Sequence, residues 1–520
     1  MSDGEGLDGG GAVEANPFRA RTLWNERCEY AFTRGAILRG LGFIYAVAFL
    51  ILFRQMNGLI SSHGLLPVAP FLSSMKSALG ASAYVRLPTL FWFGSSDAAM
   101  RVACSLGLAL SVAVMAGFAN AATMGLLWLL DLSFVGVGQT FYGFGWEMLL
   151  LEAGFLAIFL APSWPLGSSR GAAPEPVIWL YRWLLFRVMF GAGLIKLRGD
   201  PCWVELTCLA DFYETQPIPG PLSSYFHAMP MWFHEGGALF NHFVELIVPW
   251  GAFGPKRVRR AAGALTIVFQ SILIASGNLA FLNWLTIVVA LACFDDEVFV
   301  RAFPRRLIDR LRAREGTSPP SLLRRRTIAV LCIVVAALSI APTVNLLSSE
   351  QRMNDSFDPF HLVNTYGAFG SVEHERHEVV IEGTWDDPLS GDAHYQEYEF
   401  PCKPGDPKRR PCFVTPYHYR LDWQMWFLAI GGIEREPWFL KLVYELLREN
   451  PAVTGLLAKD PFAGRPPRYL RALYYRYQFT RDRRDGVWKR TLLGEFLRPI
   501  AVDDPELHAA LARRGWLSDR

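Results

Sequence analysis

Charged residues are scarce in this chain of 520 residues, at 19%, and lysine is scarcer still, with eight lysines against 43 arginines. The formal net charge of +3 is too small to indicate a nucleic-acid binder. Hydrophobic residues make up 52% and the mean hydropathy is +0.20, which excludes a disordered chain, a collagen-like fibre and a small disulfide scaffold. The composition predicts a membrane protein that carries a soluble part.

The chain also lacks the short motifs that mark many catalytic sites. It contains no phosphate-binding glycine-rich loop, no dinucleotide fingerprint, no HExxH zinc motif and no GxSxG nucleophile elbow. No internal repeat stands out either. The sequence therefore predicts no metal site and no cofactor, and it indicates no nucleic-acid partner.

Long apolar runs recur up to residue 343, and nine of them have the roughly 17–25 residues that a bilayer span needs. Because several runs are short or carry charges, the expected number of spans ranges from seven to ten. The nine are residues 36–53, 102–119, 121–138, 145–162, 177–196, 238–254, 261–277, 279–296 and 327–343. Residues 1–18 are rich in glycine and acidic side chains and are expected to form a disordered tail. The expected fold is a polytopic α-helical membrane domain over 19–343, followed by an extracytoplasmic α+β domain over 344–520.

Basic residues near the ends of the runs predict the orientation, because cytoplasmic loops carry the excess of arginine and lysine. The turn 256–260 and the linker 301–326 are the most basic loops, and four arginines flank the start of the first run. These four are Arg19, Arg21, Arg34 and Arg39. With nine spans, the N-terminus and both loops are cytoplasmic and residues 344–520 lie outside. The excess of arginine over lysine favours a bacterial genome, hence a bacterial inner membrane; in a eukaryote the ER membrane is expected.

Four of the eight cysteines fall on the external side of the membrane under this topology, in two local pairs. Cys202 and Cys208 share an external loop, and Cys402 and Cys412 share the external domain. Neither pair has the spacing of a zinc site, and an oxidising compartment permits disulfides. Two disulfides are therefore predicted, with free thiols as the alternative for one or both pairs.

Beyond residue 350 the pattern changes to short β-type runs and amphipathic helical runs. Strands are predicted around 379–381, 395–400, 474–479 and 486–492, and helices over 421–431, 437–449 and 505–514. Aromatic residues are dense in this region, especially between residues 417 and 477. This density indicates either ordinary core and sheet packing or a surface that binds an apolar client.

Charged side chains inside apolar runs are costly and often functional. The fourth run carries Glu147 and Glu152, and the fifth carries Arg182, Arg187 and, near its outer end, Lys196. Glutamates of one helix are expected to pair with arginines of the next, and the two glutamates, about 140° apart around a helix, each need a separate partner. Such pairs either fix helix register or take part in catalysis. Lys196 either serves as a base or extends its ammonium to the outer interface.

The segment after Lys196 is too rich in proline and polar groups for a simple connector. Its polar groups near the bilayer surface are Tyr213, Glu214, Gln216, His227 and His234. They are expected to form a polar pocket or to anchor the loop at the interface; a metal site has little support, because no recognised ligand motif is present. The next run begins with Asn241, His242 and Glu245. His242 and Glu245 lie three residues apart on one helical face and are expected to hydrogen-bond.

Several long sequence blocks follow one another between residues 142 and 429. They are YGFGWEMLLLEAGFLAIFLAP (142–162), WLLFRVMFGAGLIKLRGDPCW (183–203), FYETQPIPGPLS (212–223), MPMWFHEGGALFNHFVEL (229–246), GNLAFLNWLTIVVALACFDD (277–296), NTYGAFGSV (364–372) and YHYRLDWQMWFLA (417–429). Together with PWFLKLVYELLREN (437–450) and PPRYLRALYYRYQFT (466–480), these blocks resemble the lipase maturation factor family. The resemblance implies a polytopic membrane protein with a lumenal C-terminal domain; vertebrate members reside in the ER and help secreted dimeric lipases to fold and assemble.

A shorter segment, AGLIKLRGDPCW, resembles part of the vitamin K-dependent gamma-carboxylases and related bacterial membrane proteins. In the carboxylase the lysine of that segment is the base that acts on the quinol, and the matching position here is Lys196. Pro201 and Cys202 are inserted before the tryptophan of the pattern. This resemblance implies a distant common membrane fold more than it implies carboxylation.

Two functional hypotheses follow. The leading one is a maturation factor that assists the folding or export of secreted proteins such as lipases, with the client held by an aromatic face over 417–477 and by the loop 201–235. The alternative is an intramembrane enzyme that acts on a lipid or a quinone with Lys196 as its base. The pocket of that enzyme would be lined by Glu147, Arg182, His242 and Glu245. Membrane lipids are expected partners in both cases.

Overall fold

The structure is a computed structural model that describes residues 30–163, 173–302, 321–480 and 486–517. The predicted tail 1–18, Arg19, Arg21 and most of the linker 301–326 lie outside the described residues. The part up to residue 347 is helical, and a small sheet occurs only in the described residues after 375.

Sixteen α-helices lie in the described residues up to 347. They are α1 (Ala31–Leu59), α2 (Val68–Leu79), α3 (Ala83–Arg86), α4 (Asp97–Met115), α5 (Ala121–Val137), α6 (Gly145–Leu160), α7 (Glu175–Arg198), α8 (Pro201–Val204), α9 (Cys208–Thr215), α10 (Ser223–His227), α11 (Met231–His242), α12 (Lys256–Ser276), α13 (Leu282–Ala290), α14 (Asp296–Ala302), α15 (Leu322–Leu338) and α16 (Ile340–Leu347). Short 3-10 turns occupy Gly80–Ser82, Leu90–Trp92, Gln139–Tyr142, Val248–Phe253 and Leu291–Cys293, and Phe243–Ile247 forms a π-helical turn.

Five of these segments are long and apolar enough to cross a membrane: α1, α4, α7, α12 and the continuous stretch Leu322–Leu347. Two shorter apolar helical stretches, Ala121–Val137 and Leu282–Cys293, accompany them among the described residues. The predicted membrane protein is thus supported, whereas the predicted count of nine spans exceeds the five that length and composition alone identify.

Consecutive long helices pack antiparallel. In α1 and α4, Gly42 faces Ser111 while Gly107 faces Phe49, so the two chains run in opposite directions. A Cβ at position 107 would lie 2.5 Å from the Phe49 ring; glycine is therefore needed for the helices to approach this closely. At the ends of α5 and α6, the Ala121 N–H donates to the Pro162 carbonyl at 3.0 Å.

The span predicted over 238–254 is an irregular helix rather than a regular one. After α11 the chain passes through the π-helical turn and then a 3-10 turn that contains Pro249. Proline has no N–H to donate to the carbonyl four residues earlier, so a regular α-helix cannot continue through this position. The π-helical turn lies in the helix that carries Glu245, and it changes which side chains face α7.

The described residues between 376 and 512, here called the sheet domain, combine a four-stranded antiparallel sheet with four helices. These elements are β1 (Arg376–Thr384), β2 (Gln396–Glu397), α17 (Arg420–Arg435), α18 (Trp438–Leu447), α19 (Pro451–Thr454), β3 (Tyr469–Phe479), β4 (Trp488–Ile500) and α20 (Pro505–Ala512). The strand order is β2-β1-β3-β4, with Val380 opposite Leu473 and Tyr477 opposite Arg490. The predicted α+β character is confirmed, although the strand predicted over 395–400 is only two residues long.

The aromatic residues of this part are mostly packing groups. Trp423, Trp438 and Tyr477 are buried, and the Trp423 ring lies 4.8 Å from Trp146 at the start of α6. The predicted exposed aromatic face over 417–477 is therefore wrong for these side chains, because they fill the junction between the sheet domain and the helices. The exposed apolar groups of α17 are Phe427 and Ile430.

Candidate functional site

Glu152 and Arg187 form the predicted ion pair between α6 and α7. The Arg187 Nη2 contacts Glu152 Oε1, and both side chains are at most 2% exposed. The remaining bonds come from the segment after the last long helix: Tyr366 Oη donates to Glu152 Oε2 at 2.8 Å, and the Asn364 N–H donates to the same oxygen at 3.0 Å. Arg187 in turn donates to the Asn364 carbonyl at 2.7 Å. The pair therefore joins two helices to the residues that lead into the sheet domain.

Glu147 pairs with a residue that the sequence did not indicate. Its Oε1 lies 2.6 Å from Nη2 of Arg420, the first residue of α17, and both side chains are 1% exposed. Arg420 also donates to the Phe141 carbonyl at 2.8 Å and lies 3.6 Å from the centre of the Tyr142 ring. The expectation that Glu147 pairs with an arginine of α7 is wrong, because its face of α6 points toward the sheet domain.

Arg182 has no carboxylate within 4 Å among the described residues. Its Nε donates to the Ala292 carbonyl at 2.9 Å and its Nη2 donates to Tyr30 Oη at 3.0 Å. The guanidinium also lies 5.0 Å from the centre of the Trp179 ring. The predicted glutamate partner is replaced by a carbonyl of the 3-10 turn Leu291–Cys293 that follows α13, and by aromatic rings, which stabilise a buried cation.

Lys196 is buried and ion-paired, which contradicts its extension to the interface. Its Nζ lies 2.6 Å from both Oε1 and Oε2 of Glu245 and 3.4 Å from Asn241 Oδ1. The side chain is 5% exposed and its ammonium lies 5.1 Å from the centre of the Trp203 ring. Asn241 Nδ2 donates to Glu245 Oε2 at 2.9 Å. A lysine, a glutamate and an asparagine thus form one compact cluster between α7 and the irregular helix.

His242 does not bond Glu245, so that prediction is wrong. His242 Nε2 lies 3.0 Å from the Trp203 carbonyl instead. The π-helical turn that begins at Phe243 widens the helix here, so that Asn241, four residues before Glu245, is the side chain that reaches it. The prediction assumed a regular helix, in which side chains three residues apart, such as those of His242 and Glu245, lie close enough for contact.

Two of the polar side chains predicted in the loop 201–235 bond other segments of the chain. Gln216 Nε2 donates to Ser223 Oγ at 3.1 Å and to the Ser276 carbonyl at 2.9 Å. Glu214 Oε2 accepts from the Phe479 N–H of β3 at 2.6 Å. Burial raises the pKa of Glu214, although that backbone N–H and His227 lower it.

The remaining loop residues are held by local contacts. His227 Nδ1 lies 2.8 Å from the Ala210 carbonyl, and His234 Nε2 lies 3.0 Å from the Met229 carbonyl. The ring of Tyr213 stacks on that of Phe226 at 5.2 Å. Since each of these groups bonds or packs within the loop, the loop is an ordered support for the sheet domain.

Sequence reasoning missed Arg376, which ties this loop to the sheet. From β1 its guanidinium donates to the carbonyls of Glu214, Gln216 and Pro217 at 3.0, 2.5 and 3.0 Å. It also contacts Glu378 at 2.6 Å. No local pattern marks this role, because the partners are distant in sequence. Arg420 was missed for the same reason.

Both predicted cysteine pairs are joined. The Cα atoms of Cys202 and Cys208 are 4.8 Å apart, and those of Cys402 and Cys412 are 5.7 Å apart. A carboxylate oxygen of Asp200 and the two sulfurs of the first pair lie within 4.8 Å of one another. This is the one group of three or more potential metal ligands in the described ranges. Because the two sulfurs bond each other, neither is a thiolate that could bind zinc.

Removing the disulfide of the sheet domain with Cys402→Ser and Cys412→Ser should lower the free energy of unfolding by about 3 kcal/mol, since the closed loop of about ten residues no longer restricts the unfolded chain. Thermal unfolding in detergent would measure the loss. Cys332→Ser, which alters an unpaired cysteine, is the matched control and should leave the midpoint nearly unchanged. Alkylation of Cys402 without prior reduction would contradict the assignment.

Asp422 is a buried carboxyl group of the sheet domain. Its Oδ2 accepts from the N–H groups of Cys402 and Lys403 at 2.6 and 2.8 Å, and the residue is 1% exposed. Burial raises the pKa of Asp422 to about 6, and the two N–H donors only partly offset that effect. The folded state therefore holds this proton more tightly than the unfolded chain does.

Stability should consequently decline as pH rises from about 4 to about 6, because the unfolded chain loses the Asp422 proton first. The difference of about two pKa units corresponds to about 3 kcal/mol. Asp422→Asn keeps an oxygen acceptor for both N–H groups and should remove this decline. Unfolding midpoints of wild type and variant across that pH range would test it, with the exposed Asp392→Asn as control. Parallel pH profiles for wild type and Asp422→Asn would refute the assignment.

Long apolar helices, ion pairs buried between them and a sheet domain packed on one end define a polytopic membrane protein with an attached α+β domain. Residues 32–301 match the family model described as the lipase maturation factor transmembrane domain, and residues 362–498 match the lipase maturation factor C-terminal domain. The chain belongs to the lipase maturation factor family.

Relatives match along nearly the whole chain. It is 44% identical to lipase maturation factor 1 of Bos taurus over 527 residues, covering 96% of this chain and 92% of the relative. Identity to lipase maturation factor 1 of Homo sapiens is 44% over 512 residues, covering 93% and 90%. Lipase maturation factor 2 of Homo sapiens is 30% identical over 602 residues, covering 93% and 84%. No solved structure matches the chain.

Proposed function

We propose that this protein is a membrane-tethered maturation factor that assists the folding of secreted proteins, with lipases as the client class. The observation that carries this proposal is the likeness to proteins named lipase maturation factor 1 over at least 90% of both chains. The role requires no cofactor. The relevant partners are membrane lipids and unfolded secreted chains.

The proposed topology has nine crossings: α1, α4, α5, α6, α7, the irregular helix 231–253, α12, α13 and the stretch Leu322–Leu347. The alternating helix directions support it. Ala31 bonds Asp296 at 2.9 Å, and Arg324 bonds the Ala161 carbonyl at 3.0 Å at one end of the bundle. At the opposite end, Gln55 bonds the His418 carbonyl of the sheet-domain part at 2.8 Å.

This arrangement would place the N-terminus and the basic turn 256–260 in the cytoplasm. Residues 344–520 would form the outer domain, preceded by the membrane domain 19–343 and the tail 1–18. The two disulfides suit an oxidising compartment, which is the periplasm for a bacterial inner membrane or the lumen for an ER membrane. Cysteine accessibility labelling on both sides of the membrane would test the orientation.

The client surface would consist of the exposed apolar side chains of the outer domain. They include Phe427 and Ile430 on α17, and the consecutive residues Leu492 and Leu493 on β4, which is an edge strand of the sheet. An unfolded client exposes apolar segments that such side chains can cover. The loop 201–235 would support this domain through two contacts: Glu214 accepts from the Phe479 N–H, and Arg376 of β1 donates to carbonyls of the loop. The loop would not hold the client itself.

The enzyme alternative is less favoured. Lys196, its proposed base, has its ammonium bound to both carboxylate oxygens of Glu245. Glu147 is paired with Arg420 and therefore belongs to a different cluster. Among the described residues, no contact joins Glu147, Arg182 and Lys196 into one pocket for a lipid or quinone.

The test is co-expression of a secreted lipase with this chain in a host that has no maturation factor of its own. Wild type should raise the secreted lipase activity, and Leu492→Glu with Leu493→Glu should abolish the gain while the protein remains folded. Lys196→Arg separates the two hypotheses, because arginine keeps the ion pair but is not a base at neutral pH. Full activity of Lys196→Arg supports the maturation factor, and complete loss of activity with normal abundance would favour the enzyme.

A further inference from the structure

A large cleft lies between the first membrane helices and the sheet domain. Its volume is about 1480 Å³, above the roughly 300–1,000 Å³ of most small-ligand sites. One wall is the amphipathic helix α2 and the start of α4, and the other is α18, α19 and the segment 514–517. None of the residues discussed for the maturation or enzyme hypotheses lines it.

The helix wall is rich in hydroxyl groups, and its floor is apolar. Ser73, Ser74 and Ser77 recur on one face of α2 at the spacing of a helical turn and line the cleft. Leu66 and Met100 also line the cleft, and because both are buried we call them its floor. A hydroxyl-bearing wall over an apolar floor suits a ligand with a polar head and an apolar tail.

The charges of the cleft balance. Three carboxylates and three cations line it, together with His63: these are Asp97, Glu445 and Glu449, and Lys441, Arg448 and Arg514. Lys441 and Glu445 neutralise each other, with Nζ and Oε1 2.6 Å apart.

The two arginines and the two remaining carboxylates are available to a ligand. Arg448 and Arg514 contact aromatic rings and a backbone carbonyl, and neither has a carboxylate within 4 Å in the described part of the chain. Within the described ranges, Asp97 and Glu449 accept hydrogen bonds only from uncharged donors, namely Ser62 and the Gly464 N–H. Two unneutralised cations and two unneutralised anions therefore face one cleft.

The cleft lies at the level where a membrane helix ends. Asn450 Nδ2 donates to the His63 carbonyl at 2.8 Å, four residues beyond the end of α1. The connection between α1 and α4 exposes Tyr84, Val85 and Phe93, the last at 92%. Exposed aromatic side chains next to an amphipathic helix are typical of the headgroup region of a bilayer.

We propose that this cleft binds the headgroup of a zwitterionic phospholipid from the leaflet that faces the sheet domain. Arg448 and Arg514 would bind the phosphate, because guanidinium groups form paired hydrogen bonds with its oxygens. Asp97 and Glu449 would bind the ammonium of ethanolamine or choline, and the apolar floor would hold the start of an acyl chain. A headgroup of net charge zero matches a cleft of net charge zero. The inference uses the proposed topology but not the lipase client.

The test is lipid retention by the full chain in nanodiscs of equal parts phosphatidylethanolamine, phosphatidylcholine and phosphatidylglycerol, read by native mass spectrometry after transfer to mild detergent. Wild type should retain one phosphatidylethanolamine or phosphatidylcholine molecule. Arg448→Gln with Arg514→Gln should lower the retained fraction about tenfold, since charge-assisted hydrogen bonds to the phosphate are lost. The neighbouring exposed Arg513→Gln is the matched control and should retain lipid as wild type does.

A second variant tests the charge balance itself. Glu449→Gln keeps a carbonyl oxygen for the Gly464 N–H but removes one negative charge, so retention should shift toward phosphatidylglycerol. Preference of wild type for phosphatidylglycerol, or equal retention by all variants, would overturn the proposal. If lipid retention is equal in all variants but the double arginine variant stops supporting a secreted lipase, the cleft binds the client instead and the lipid assignment is wrong.

Discussion

Replacing Arg420 with alanine should lower the free energy of unfolding by about 3–5 kcal/mol, the typical effect of removing one partner from a buried ion pair. The side chain is 1% exposed and neutralises Glu147, which is equally buried. Asp131, which is 5% exposed, also interacts electrostatically with Arg420. It has no other cationic partner in the described residues. Alanine would thus leave two carboxyl groups in an apolar environment with nothing to balance them.

Unfolding by sodium dodecyl sulfate in mixed micelles, followed by tryptophan fluorescence, would measure this loss. Arg420→Lys keeps the charge but loses the fork that also binds the Phe141 carbonyl, so its effect should be intermediate. Arg498→Ala removes a half-exposed arginine that pairs with Asp504 and Glu506, and should cost less than about 1 kcal/mol. Equal stability of Arg420→Ala and Arg498→Ala would show that the Glu147 pair does not stabilise the junction.

Glu152→Ala should be similarly severe, with a loss of about 3–5 kcal/mol, and it should also separate the segment around Asn364 from α6. Glu152 accepts hydrogen bonds from Arg187, Asn364 and Tyr366. Removing it leaves the Arg187 guanidinium buried with one carbonyl as its remaining acceptor. The segment around Asn364 would then lose its anchor on α6.

Limited proteolysis would detect that separation, because a released segment around residue 364 becomes accessible while the two parts stay folded. Glu152→Gln is the matched variant: it keeps an acceptor for Tyr366 and the Asn364 N–H but cannot neutralise Arg187, so a smaller loss is expected. The double variant Glu152→Met with Arg187→Met should recover part of the stability, since replacing both ions is far less costly than removing one. A double variant less stable than Glu152→Ala would contradict this account.

The candidate site shows where local reasoning succeeds. The pairing of Glu152 with Arg187 was predictable, because both residues lie in adjacent apolar runs and a buried charge needs an opposite charge nearby. The two disulfides were predictable because each pair is only six or ten residues apart and lies on the side expected to be oxidising. In both cases the partner is near in sequence or in the next helix.

Other contacts could not be predicted from local sequence patterns. Arg420 reaches Glu147 because the sheet domain folds back onto the bundle, and no sequence spacing encodes that approach. The expected bond between His242 and Glu245 failed because the π-helical turn changes the spacing, and Asn241 replaces the histidine. Aromatic density around Trp423 indicated both packing and exposure, and only the burial of the side chain separated the two.

The sequence by itself determined the membrane helices, the paired cysteines, the sheet-bearing C-terminal part and the family. The first three features depend on composition, spacing and periodicities of a few residues, which act along the chain, whereas the family follows from the resemblance of long sequence blocks. The tertiary structure alone decided the partners of Glu147, Arg182 and Lys196, and the cleft between α2 and α18. These depend on which helix faces meet, and that is set by the packing of segments far apart in the chain.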